Sequence, residues 1–239
     1  MKTILKGPRP QELINWELEN AALPENLIYG EGGFPSEAVR QSLLAEQFHL
    51  CAYSMRCLPT ASECEAQKKD TRSSCHIEHL LPQCRNVAGE DVDYGNMVAC
   101  YPSSQSKVAC EFGAHAKADF DPSKGGFVSP LSKNAQEHFR FDEFGNIQGN
   151  TSDGSATIKI LNLTSKALVN DRAAVIKGFL QPKGRKLSAQ SARRLAQHIF
   201  KPDARSCLPA YCVAIAQVAV QHAEREERRA ARMKKKGRA

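Results

Sequence analysis

The chain has 239 residues, of which 41% are hydrophobic and 25% charged, and its formal net charge is +7. That length supports either one large domain or a catalytic module with helical additions, and that apolar content excludes wholesale disorder. No apolar region follows Met1-Lys2-Thr3-Ile4-Leu5-Lys6 and no stretch is long enough to span a bilayer, so the chain reads as cytoplasmic.

Residues 1–35 mix prolines, glycines and short apolar pieces such as Leu13-Ile14-Asn15-Trp16, and they read as an arm packed over the body. Ser36 can cap a helix through His49, with Val39, Leu43, Leu44 and Phe48 near one face. Seven of the nine cysteines fall between Cys51 and Cys110. In a reducing compartment such a cluster favours metal ligands or buried thiols over a disulfide framework. A loop is expected over 68–74, a short strand over 75–79, a crossing loop over 83–95, a second strand over 96–100 and a short helix over 115–119. Pro122-Ser123-Lys124-Gly125-Gly126 marks a boundary. Phe139 and Phe141 alternate with His138 and Arg140 ahead of a turn over 142–146, which predicts a hairpin.

From Ser155 the apolar period becomes helical, through Ile158, Leu161, Leu163, Leu168, Val175, Ile176 and Phe179, until Pro182-Lys183-Gly184 breaks it. Ser188 can cap a helix to Phe200. Pro209 suits the first turn of a last helix that carries Val213, Ile215, Val218 and Val220 out into a basic tail. From Ala223 to Ala239 there are eight basic and three acidic residues, so the tail holds most of the excess charge. The organisation expected is an arm and helix over 1–50, a motif-bearing core over 51–120, and a hairpin with helices over 121–239.

The chemistry gathers in Cys75-His76-Ile77-Glu78-His79. A carboxylate beside an imidazole supplies two parts of metal-assisted phosphodiester hydrolysis: an oxygen ligand for a divalent cation, and a neutral nitrogen that takes a proton from water. Leu80, Leu81 and Pro82 follow at once, the pattern of a strand end that runs into a fixed loop at a mouth. Asn96 and His115 come downstream, so the order is His, Asn, His. Strand alternation points His76 with Glu78 and away from His79, in a supporting role. Six acidic residues against three basic ones between Cys75 and Asp119 make this region net acidic, so phosphate affinity must come from a cation, from elsewhere in the chain or from a partner.

Glu78-His79-Leu80-Leu81-Pro82, then Asn96, then His115-Ala116-Lys117 resembles the HNH nuclease motif. The resemblance implies an α+β fold in which two strands and a helix clasp one metal ion, embedded here in a mostly helical body. Leu50-Cys51-Ala52-Tyr53, Leu161-Asn162-Leu163 with Leu168 and Arg172, and the opening Met1 to Trp16 extend the likeness. Most of the chain is similar to the HNH nuclease subunit of Septu and retron-Septu anti-phage defence systems. Eighteen residues separate Asn96 from His115, a long gap for a compact motif, which reads as a loop insertion.

The resemblance implies a metal-dependent endonuclease acting as effector of a defence complex. His79 is then the general base, Asn96 braces the crossing loop and so the tilt of His79, and Glu78 and His115 hold Mg²⁺. Mn²⁺ and Zn²⁺ suit the same donors. Related nucleases carry a Cys-x-x-Cys pair where this chain has Cys51-Ala52-Tyr53-Ser54, which leaves Cys51, Cys57, Cys100 and Cys110 as the set for a structural Zn²⁺. Buried thiols that behave as small hydrophobes are the alternative. Candidate phosphate contacts are Lys117, Lys183, Arg185, Lys186, Arg193 and Arg194, together with the tail from Arg232 to Arg238; a solvated basic face is their plainer role. The partners implied are nucleic acid, DNA ahead of RNA, an ABC-type ATPase subunit that gates the nuclease, and a retron reverse transcriptase with its nucleic acid, with no membrane partner. A rival of another class is a zinc-stabilised binding or scaffold module without catalysis, with Cys75, His76, His79 and Cys84 as ligands.

Overall fold

The structure is a computed structural model that describes residues 1–107 and 109–236; Arg238 of the basic tail lies outside the described residues. Helix α1 (Gln11–Glu19) lies in the arm, α2 (Ser36–Glu46) follows it, and α3 (Ala61–Ala66) comes before the first sheet. In that sheet β1 (His76–His79) pairs antiparallel with β2 (Met97–Cys100), and α4 (Ala114–Lys117) follows. A second antiparallel pair, β3 (Phe139–Phe141) and β4 (Ile147–Gly149), leads into α5 (Ser152–Ile160), α6 (Lys166–Leu180), α7 (Ala189–His198) and α8 (Cys212–Lys236). Two small antiparallel sheets among helices make the chain α+β. Among the described residues no helix is long and apolar enough to cross a membrane.

Local chemistry explains where elements start and stop. The unexpected α1 buries Leu13 and Trp16, and the unexpected α3 opens on a capping box in which Thr60 and Glu63 satisfy each other's backbone N–H groups. Helix α2 stops at Glu46 rather than His49 because Phe48 and His49 take left-handed φ values of 52° and 57°. Gln47 then turns its side chain onto β2: its Oε1 accepts the Ala99 N–H at 2.8 Å, and its Nε2 donates to the carbonyls of Ala99 at 2.9 Å and Leu50 at 2.8 Å. The helical period from Ser155 resolves into two helices. Thr151 caps α5, Asn162 breaks the run at φ 45°, and Ser165 caps α6. Ser188 caps α7 as its sequence predicts, whereas left-handed Tyr211 delays α8 to Cys212.

One apolar cluster joins all parts, from Leu13, Leu43 and Leu44 through the four buried residues of β2 to Phe139, Phe141, Leu168, Ile176, Ile215 and Val218. Each such side chain stabilises the fold by about 2 kcal/mol on burial. Helix α8 packs on α7, α6 and β3. The three sequence segments interlock: Ile4 N–H donates to the Pro130 carbonyl at 2.8 Å, Leu208 N–H to Phe48 at 3.1 Å and Tyr211 N–H to Met55 at 3.0 Å. The carboxylate of Glu46 collects Lys6 Nζ at 2.7 Å, Gly7 N–H at 2.9 Å and Tyr94 O–H at 3.0 Å, which holds the arm against the loop before β2. Buried Arg172 donates to the carbonyls of Gly145 and Leu163 at 2.8 and 2.9 Å. Gly145 sits at φ 79° against α6, where a Cβ would stand 2.2 Å from the Val169 carbonyl oxygen.

Candidate active site

The register of β1 on β2 sets Glu78 opposite Val98 and His79 opposite Met97. Alternation along β1 sends His76 and Glu78 to one face and Ile77 and His79 to the other, in line with their alternating burial. The Glu78 carboxylate is held at both oxygens. Its Oε1 receives Lys117 Nζ at 3.1 Å and the Tyr53 hydroxyl at 3.3 Å, and its Oε2 faces His76 Nε2 at 3.7 Å. His76 Nδ1 meets the Pro102 carbonyl, which can only accept, so Nδ1 carries a proton and Nε2 turns to Glu78. Burial alone lowers the His76 pKa, but the Glu78 carboxylate and the Pro102 carbonyl outweigh it and the net shift is upward. The exposed ring of His115, on α4, lies 6.1 Å from that of His76.

His79 is 7% exposed. Its Nε2 is 2.8 Å from the Asp91 carbonyl oxygen, so this nitrogen is the donor and Nδ1 keeps its lone pair. Nδ1 has no hydrogen-bond partner among the described residues. Burial lowers the His79 pKa, partly opposed by the Asp91 carbonyl and Glu78, which leaves the ring neutral at pH 7. Asn96 spans the crossing loop: its Oδ1 accepts Leu81 N–H at 2.7 Å and its Nδ2 donates to the carbonyls of Leu81 and Glu90 at 3.1 and 2.9 Å. Arg85 anchors the same loop to Glu90 at 2.8 Å, Asp121 at 2.7 Å and Ser123 at 2.9 Å. The Ser123 hydroxyl and N–H, with Arg85, hold the Asp121 carboxyl at about 2.

Several expected roles are corrected by these positions. Lys117 is 3% exposed and donates to Glu78 and, at 3.0 Å, to the His79 carbonyl. It neutralises the carboxylate from inside and does not present its ammonium to a phosphate. The four expected zinc ligands do not converge. Cys51 and Cys100 meet in the core, with the Tyr101 N–H on Cys51 Sγ at 3.3 Å, but the exposed Cys57 thiol is turned to the Leu208 carbonyl at 4.0 Å and Cys110 to that of Phe112 at 3.3 Å. Burial raises the Cys51 pKa, but hydrogen bonds from Cys100, Ser54 and the Tyr101 N–H outweigh it and the net shift is downward, while burial and Cys51 push the Cys100 thiol up. The rival set does not gather either, because Cys75 is buried, Cys84 is exposed and His76 and His79 occupy opposite faces of β1. Arg193 is taken by Glu227 in a bidentate pair at 2.8 and 2.7 Å, while Lys183, Arg185, Lys186 and Arg194 are exposed and form no ion pair among the described residues.

Sequence reasoning missed Tyr53, Asp91 and Tyr29 as parts of this site. Tyr53 was read only as part of the resemblance carried by Leu50-Cys51-Ala52-Tyr53, and no period or motif marks Asp91 or Tyr29. As a cation site, Glu78 Oε2 and His76 Nε2 present two electron-rich atoms to each other, an arrangement stabilised by a proton or a metal ion between them. Among the described residues no three His, Cys, Asp or Glu side chains stand close enough to hold an ion as they are. In comparisons with known proteins, no family model matches the chain and no curated protein matches it significantly.

Proposed function

We propose that the chain is a metal-dependent HNH endonuclease that hydrolyses nucleic-acid phosphodiester bonds, with β1, β2 and α4 as its ββα core. The observation that carries this reading is the fixed tautomer of His79: a backbone carbonyl takes the Nε2 proton, and Nδ1 keeps its lone pair and has no partner among the described residues. Asn96 supports it by pinning the loop that supplies that carbonyl.

In this reading His79 Nδ1 removes a proton from the attacking water, and Asp91 keeps the ring oriented as it becomes an imidazolium. Glu78 Oε2 and His115, with His76 Nε2 beside them, would hold a divalent cation, Mg²⁺ first and Mn²⁺ or Zn²⁺ by the same donors, which would supply neutralisation of charge on the phosphate and leaving oxygen. Lys117 and Tyr53 engage the other oxygen of Glu78 and so turn Oε2 toward the imidazoles. Exposed Lys183, Arg185, Lys186 and Arg194 are the available phosphate contacts. The motif's likeness to Septu and retron-Septu subunits points to an effector gated by an ABC-type ATPase, with DNA as the first substrate to assay and a retron reverse transcriptase as a further partner.

The test is cleavage of DNA and RNA by the full chain, with and without its neighbouring gene products, in Mg²⁺ and Mn²⁺. His79→Ala is expected to lower the rate by about 10³-fold with an unchanged circular dichroism spectrum. Cleavage by that variant at the wild-type rate would overturn the assignment.

A further inference from the structure

The arm enters the site at a point the motif does not include. Tyr29 lies edge-on to the His79 ring, with centroids 4.7 Å apart and planes at 89°. Its backbone N–H donates to Asp91 Oδ2 at 2.9 Å, and the carbonyl of the same Asp91 holds His79 Nε2. One residue of the arm therefore touches the imidazole directly and also fixes the group that orients it. Tyr29 is itself held from behind: its ring is 4.9 Å from that of Phe34, Phe34 is 5.2 Å from Trp16, and the Trp16 indole N–H donates to the Gly32 carbonyl at 2.7 Å. Between Leu27 and Ile28 of the arm and residues 81–92 of the crossing loop lies a cavity of about 550 Å³.

We propose that Tyr29 is a positioning residue for His79, its ring setting the tilt of the imidazole and its backbone N–H anchoring the side chain of Asp91, the residue whose carbonyl holds His79 Nε2. This rests on the nuclease reading for its consequence, though its geometry does not. The contact is made by the ring and the main chain, and the Tyr29 hydroxyl has no part in it. The arm is thus the outer wall of the reaction centre, and an edge contact excludes ring tilts that a water-filled gap permits.

The experiment uses the full chain with Tyr29→Ala and Tyr29→Phe. Site-resolved carbethoxylation, read by peptide fragmentation, reports the exposure of His79 without any need for activity, and single-turnover and steady-state cleavage report kcat and KM. Tyr29→Ala is expected to carbethoxylate at His79 several-fold faster and to lose about tenfold in kcat with KM within twofold, because a displaced base costs rate and not binding. Tyr29→Phe is expected to match the wild type in both. An unchanged His79 modification rate in Tyr29→Ala, or equal loss in Tyr29→Phe, overturns the proposal. If the wild type cleaves nothing, the nuclease reading fails while the modification rates still decide whether Tyr29 covers and positions His79.

Discussion

Lys117 shows why a residue's type does not reveal its role. Its ammonium sits 3.1 Å from Glu78 Oε1, with its side chain 1% exposed, so the pair was taken out of water together. Removing one member of such a pair leaves the other charge uncompensated. Lys117→Ala is therefore expected to lower stability by about 3 kcal/mol, measured by urea unfolding, although the residue lies on a helix of only four residues. A loss under about 1 kcal/mol, the range of a solvated surface pair, would contradict this. Its place in His115-Ala116-Lys117 offered Lys117 as a phosphate contact, with a solvated lysine as the plainer role. On so short a helix no apolar period tells an inward side chain from an outward one. His79, Asn96 and Glu78 stood out as candidates because their spacing around Pro82 is a local pattern; Tyr53 and Tyr29 did not, because the chain brings them in from distant segments, nor did Asp91, because it acts through its main-chain carbonyl within the crossing loop.

The crossing loop is the element that decides the geometry of the site, and it is held from both ends, by Asn96 inside and by Arg85 with Asp121 outside. Ser123 and Arg85 hold the Asp121 carboxyl at about 2, below the ordinary value of about 4. A depressed carboxyl stabilises the fold above its unfolded value, and that contribution is lost as pH falls through its folded value. The difference in melting temperature between wild type and Asp121→Asn is thus expected to be constant above about pH 5 and to vanish as pH falls toward 2. A difference that persists at pH 2 would assign it to packing. Elements with alternation or a clear cap were legible: both strands of each sheet, and α7 with Ser188. The helix ends were not, because Phe48, His49 and Tyr211 adopt a left-handed backbone that no residue type among them announces. The start of α3 was readable in Thr60 and Glu63, whose spacing is that of a capping box.

At the scale of the whole molecule, the motif resemblance implied the mixed class and little of the assembly. Contacts that lock the chain into one body, such as Ile4 with Pro130 and Leu208 with Phe48, join residues more than 100 positions apart. Such pairs have no local signature, since each is a by-product of where helices pack. The tail follows the same logic. Glu224, Glu226 and Glu227 pair with Arg228, Arg229 and Arg193, so the first turns of α8 beyond the core are self-neutralised and the excess charge falls to the residues that follow.

Gln47 has a further consequence for the molecule in solution. Its amide bonds to Ala99 as a peptide unit of a third strand would, and so it occupies the outer margin of β2. That margin lies in the core, where an N–H without a partner carries the full cost of its lost hydration. Gln47→Ala leaves the Ala99 N–H in that state and is expected to lower stability by about 2 kcal/mol in urea unfolding; a loss under about 0.5 kcal/mol would mean that the glutamine guards nothing.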